Sequence, residues 1–187
     1  ELLDQMDARG VTFAPASGRQ VWTLIDMFPG RPGMTVIGEN GGIVMRDGVE
    51  VSSSPLDAPT MREAVRLVRE ATSGPDGIDG GLVMCGKQFA YVERTDDRFV
   101  DGVMPYYHRT KRVDDQIAII DGIEAGEIDD AIVKLAVYVI GPVQALAEAT
   151  LANFADTHQY AISGANWADL QIRGVDKGSA VRDLQRF

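Results

Sequence analysis

Apolar residues in this chain switch repeatedly between short continuous runs and helical spacing, and the longest run, Leu135 to Ile140, is only strand-sized. Short apolar runs mark strands buried on both faces, and helical spacing marks amphipathic helices. Their alternation predicts an α/β fold. That longest run follows Lys134 and falls far short of the ~18 apolar residues that a membrane helix needs. No membrane span is expected.

Leu2, Leu3 and Met6 recur at helical spacing up to Gly10, a C-cap position. Val11 to Ala14 reads as a short buried strand, and Pro15-Ala16-Ser17-Gly18-Arg19 separates it from a helix carrying Val21, Leu24, Ile25 and Phe28. Met34 to Ile37 is the next strand, closed by Glu39-Asn40-Gly41-Gly42, and Ile43 to Met45 and Val49 to Val51 flank the hairpin signal Arg46-Asp47-Gly48. Ala58 to Ser73 is an amphipathic helix introduced by Pro59. Strands follow at Leu82 to Cys85 and Phe89 to Val92, then a weaker helix from Phe99 to Tyr107 and an ambiguous acidic stretch. Ala131 to Ile140 is a β-branched strand, Val143 to Phe154 an alanine-rich helix, Tyr160 to Ser163 with Trp167 to Ile172 a hairpin, and Ser179 to Phe187 a last helix.

At roughly 150 residues per domain, 187 residues form one large domain or two interleaved small ones. The order of elements favours an insertion within a core: residues 1–57 and 173–187 as the core, 58–172 as an α+β unit between them. The turns at Ser54-Pro55 and Gly174 suit its borders.

Formal net charge is −10, which repels phosphate backbones and anionic lipid, so nucleic acid and membrane surfaces are not expected partners. The single cysteine, Cys85, forms no intrachain disulfide and, with His108 and His158 scattered, no Cys-His metal site. A reducing cytoplasm is the expected location. Cys85 itself reads as core filler and the two histidines as surface or packing groups. Asp96-Asp97, Asp114-Asp115 and Asp129-Asp130 read as solvated loops. Glu1 is no natural start, and neither a basic segment nor a long apolar one follows it, so an upstream segment is expected to be missing.

Ligands of open α/β sheets bind at the carboxyl ends of strands, which draws attention to Ser17, Gly18 and Arg19: a hydroxyl, an accessible N–H and a charged fork suited to a phosphoryl group. By themselves they read first as a turn with an N-cap serine. Asn40-Gly41 opens on the same sheet edge, and Lys177 stands at the start of the last helix, either solvated or neutralising a bound phosphate. No Walker A pattern is present.

Taken in order, Val-Thr-Phe-Ala-Pro-Ala-Ser-Gly-Arg, Ile-Gly-Glu-Asn-Gly-Gly-Ile-Val, Lys-Leu-Ala-Val-Tyr-Val and Ala-Asp-Leu-Gln-Ile-Arg-Gly-Val-Asp-Lys-Gly-Ser-Ala-Val resemble the Cof-type phosphatases of the haloacid dehalogenase superfamily. The resemblance implies a Rossmann-like core with an inserted α+β cap. It places Ser17 where that family has a Thr or Ser and Lys177 where it has its phosphate-binding lysine; both would hold phosphoryl oxygens as catalytic residues. Gly18, Arg19, Asn40 and Gly41 would bind substrate or support the loop. The family's Asp-x-Asp nucleophile motif and its Gly-Asp metal motif find no match here. The resemblance therefore implies a Mg²⁺-dependent phosphohydrolase of small phosphorylated metabolites such as sugar phosphates, working through an aspartyl-phosphate whose nucleophile and metal ligands lie outside these residues. A phosphosugar mutase, or a non-catalytic binding module if both motifs are truly lost, are the alternatives. Tyr106, Tyr107 and His108, inside the insertion, are candidates to face the substrate.

Overall fold

A computed structural model describes residues 1–31 and 33–187. Two helices, α1 (Leu2–Asp7) and α2 (Val21–Asp26), precede an antiparallel sheet of β1 (Val36–Gly38), β2 (Ile43–Arg46) and β3 (Val49–Ser53), in that spatial order. The β2–β3 turn forms where Asp47 and Gly48 both take positive φ, 53° and 76°, as a tight hairpin requires. Alternate strand residues face opposite ways. Val36, Ile43 and Met45 pack on Val21 and Leu24 of α2, whereas Ile37 and Val44 pack on Ala180 of the last helix, α7 (Lys177–Arg186). The small sheet is thus the middle of three layers.

The second sheet holds six strands in the order β6-β5-β4-β7-β9-β8, from β4 (Gly80–Gly86), β5 (Ala90–Val92), β6 (Thr110–Arg112), β7 (Ile132–Val139), β8 (His158–Ile162) and β9 (Trp167–Ile172). All its pairings are antiparallel except β5 with β6. Helix α3 (Ala58–Thr72) lays Met61, Ala64, Val65 and Val68 on one face, against Leu82, Met84, Leu135 and Val137. The opposite face, Val83, Cys85 and Ala136, is covered by Phe99, Val100 and Val103 of α4 (Asp97–Val103). Coverage on both faces explains why β4 and β7 read as continuous apolar runs. The chain leaves the first sheet after β3 and returns to it through Gly174 into α7.

Several expectations need correction. Val11 to Ala14 joins no ladder among the described residues; parallel pairing begins only where Ile37 donates to Pro15 O at 2.9 Å and Ser17 donates to Ile37 O at 3.0 Å. Apolar content does not supply a partner strand, and Val11 is exposed. The acidic stretch contains β6 and α5 (Gln116–Glu124). The alanine-rich helix is broken at Thr150 into α6 (Gln144–Ala149) and a 3₁₀ turn over Leu151–Phe154. Asp96 and Asp115 are exposed, as expected, and also cap α4 and α5, whereas Asp130 is half-buried and accepts from Gln88 N, Phe89 N and the Tyr91 hydroxyl. Among the described residues no helix is long and apolar enough to cross a membrane.

Candidate active site

The loop Ser17-Gly18-Arg19 lies between the Ala16 bridge and α2 and is zipped to the turn after β1 by backbone bonds. Asn40 N donates to Ser17 O at 2.9 Å and Glu39 N to Arg19 O at 2.9 Å. This turn needs three successive left-handed residues, Glu39, Asn40 and Gly41, with φ of 49°, 55° and 105°. A side chain at Gly41 would overlap the Asp176 carbonyl, so glycine is what lets the turn touch the start of α7. Gly41→Ala is expected to destabilise the protein by more than about 1 kcal/mol, read by urea unfolding, since it adds strain and overlap together.

Asp176 caps α7 through a reciprocal box with Ser179, which holds the Asp176 carboxyl below its ordinary range and fixes the first helical residue, Lys177. Gly18 serves a second close approach, its α-carbon facing the Asn40 side-chain amide. Asn40 Nδ2 in turn donates to Asp169 Oδ2 on β9 at 2.9 Å.

These groups border one cleft of about 450 Å³, within the range of small-ligand pockets. Ser17, Gly18, Arg19, Asn40 and Lys177 all line it. Gly41 does not; it sits beneath, against Asp176. Tyr106 and Tyr107 also line the cleft, whereas His108 turns away to Asp26, with Nδ1 at 2.8 Å from the carboxylate. His158 contacts Thr157 and Thr60. Cys85 is buried and donates to the Tyr107 hydroxyl. A cleft of similar size, about 430 Å³, between Phe13, Arg31 and Asp47 gathers none of the expected residues.

The group that joins the two sheets carries no motif of its own in the sequence. Lys134 on β7 and Glu39 are both fully buried, with Nζ to Oε2 at 2.6 Å, and the same ammonium donates to Gly18 O at 2.6 Å. Burial alone would discharge this lysine, but the Glu39 carboxylate holds it well above the ordinary lysine range, so it stays cationic. Burial pushes Glu39 upward, against the pull of Lys134, and its Oε1 makes no hydrogen bond. A lone lysine opening an apolar run was the available signal. Asp169, Tyr138 and Trp167 also line the cleft and were not anticipated.

Arg19 and Lys177 bring two cationic side chains, and Ser17 a hydroxyl, to the lining of this cleft. Among the described residues no three acidic, histidine or cysteine side chains converge as a metal site.

The sequence profile of the haloacid dehalogenase-like hydrolases matches residues 1–187. The chain is 32% identical, over 98% of its length, to 5-amino-6-(5-phospho-D-ribitylamino)uracil phosphatase YbjI of Escherichia coli, and spans 63% of that relative. A crystallised Eubacterium rectale protein superposes with a TM-score of 0.76 at 20% identity, covering 99% of this chain and 66% of that one. A haloacid dehalogenase-like hydrolase of B. subtilis gives 0.74 at 14% identity, with 98% and 69% covered. This chain thus spans about two thirds of the proteins it matches.

Proposed function

Because the chain belongs to the haloacid dehalogenase-like hydrolase family, we propose that it is the phosphate-recognising part of a phosphohydrolase acting on small phosphorylated metabolites, sugar phosphates among them. The observation that carries this reading is that Ser17, Arg19 and Lys177, from opposite ends of the chain, line one cleft. In it the Ser17 hydroxyl donates to a phosphoryl oxygen, the Lys177 ammonium neutralises a second, and Arg19 spans toward the leaving group. Fixed donors that need no rearrangement as charge develops supply most of such catalysis. Asn40, held by Asp169, keeps the Ser17 loop in place.

In this reading residues 1–57 and 173–187 are the core and 58–172 the cap. An attacking aspartate and bound Mg²⁺ would supply the nucleophile and the neutralisation of phosphoryl charge; no step assigned to the present residues passes through the metal. The test compares the 187-residue chain with the product of the full coding sequence on a panel of phosphate esters with Mg²⁺. Turnover is expected from the full product and none from the short chain. Metal-dependent turnover by the short chain would show that the nucleophile has been misplaced, and a coding sequence without either aspartate motif would favour a binding module.

A further inference from the structure

The loop Ser17-Gly18-Arg19 offers three carbonyls, and each receives a donor. Asn40 N serves Ser17 O and Glu39 N serves Arg19 O, both from the backbone of the neighbouring turn. The middle carbonyl, Gly18 O, is held instead by a side chain, the Lys134 ammonium, which reaches it from β7 of the other sheet. Lys134 is 1% exposed, with the Glu39 carboxylate 2.6 Å from Nζ and the Tyr107 ring centre 5.3 Å away. A charge-assisted bond in so dry a place fixes its acceptor more firmly than a neutral donor does.

Gly18 O and Arg19 N belong to one planar peptide, so fixing the oxygen also fixes the N–H on the opposite side of the bond. That N–H donates to Ser17 Oγ at 3.3 Å. A hydroxyl oxygen that already accepts one bond still has its proton to give. The contacts therefore run in series: Lys134 sets the peptide, the peptide sets the Ser17 oxygen, and the Ser17 proton is left for the cleft that Ser17 lines. Glu39 serves twice, since its carboxylate keeps Lys134 charged and its backbone N–H holds Arg19 O.

Resting on the phosphohydrolase reading, we propose that Lys134 is a positioning residue for phosphoryl transfer, acting through the Gly18–Arg19 peptide on the Ser17 hydroxyl and not by touching the substrate. The test is a kinetic cycle in the full-length protein on several phosphate esters with Mg²⁺. It is built on Lys134→Met combined with Glu39→Leu, which removes both buried charges together and so separates activity from stability. This variant is expected to unfold in urea near the parent's midpoint yet to lose at least about tenfold in kcat on every ester. Ser17→Ala should lose a comparable factor, and adding the paired substitution to it should cost no more than about twofold further.

A pair that merely held the two sheets together would leave kcat near normal in the stable variant. A Lys134 that met the phosphoryl group itself would multiply its loss with that of Ser17→Ala. Either result would overturn the proposal. Should the paired variant fail to fold, Lys134→Gln with Glu39→Gln takes its place in the same cycle, since it keeps both side chains hydrogen-bonding while shortening the one that reaches Gly18 O. If the parent hydrolyses no ester, the phosphohydrolase reading fails, and the same cycle is read by titration calorimetry with inorganic phosphate. Binding weakened about tenfold by the paired substitution in the parent but not in Ser17→Ala would uphold the positioning role. No binding, no weakening, or equal weakening in both backgrounds would dispose of it.

Discussion

Lys177→Ala in the full-length protein is expected to lower turnover at least about tenfold on every phosphate ester, with the protein still folded. An ammonium about 4 Å from a phosphoryl oxygen, at an effective dielectric near 20, interacts by roughly 4 kcal/mol before desolvation is subtracted. Half of that exceeds the ~1.4 kcal/mol that makes a tenfold rate change. The loss should fall on kcat and be indifferent to the leaving group, because the transferred phosphoryl is common to all substrates. Lys177 is the first residue of α7, where the helix is already capped by Asp176, so its removal leaves the cap intact. Near-normal turnover would remove Lys177 from the chemistry; a loss confined to some esters would move it to leaving-group recognition.

The second large effect is on stability. Lys134→Met leaves the Glu39 carboxyl buried without its cation and frees the Gly18 carbonyl from its donor, and removing one partner of a buried pair costs about 3–5 kcal/mol. Glu39→Leu alone strands the ammonium and should cost a similar amount. The double variant Lys134→Met with Glu39→Leu is expected to recover most of the loss, since two apolar side chains replace two desolvated charges. Urea unfolding of the two single variants and the double variant checks this. Additive losses would mean that the two groups do not depend on each other as their 2.6 Å contact implies.

The elements that were legible in the sequence are those whose signal is local. The Arg46-Asp47-Gly48 turn, the Pro59 helix start and the β-branched run that became β7 each carry their own determinant. Strand β6, Thr110–Arg112, is a polar edge strand of three residues, and nothing in its composition separates it from a loop. Val11 to Ala14 failed for the opposite reason: its residues suit a strand, but ladder formation depends on a neighbour, and β1 meets the chain only from Pro15 onward. At the site, Ser17, Arg19 and Lys177 could be singled out because recognisable motifs surround them. Glu39, Lys134 and Asp169 could not, since each matters only through a partner on the other sheet, and such pairings arise from topology rather than spacing.

The central claim is that the cleft between the two sheets receives the phosphoryl group. Its most direct test is a crystal structure of the full-length protein with inorganic phosphate or a tungstate analogue. The anion is predicted to lie within hydrogen-bond distance of both Ser17 Oγ and Lys177 Nζ, on the side of the cleft facing Tyr106 and Trp167. An anion held instead in the cleft between Phe13, Arg31 and Asp47, with Ser17 and Lys177 untouched, would contradict the account.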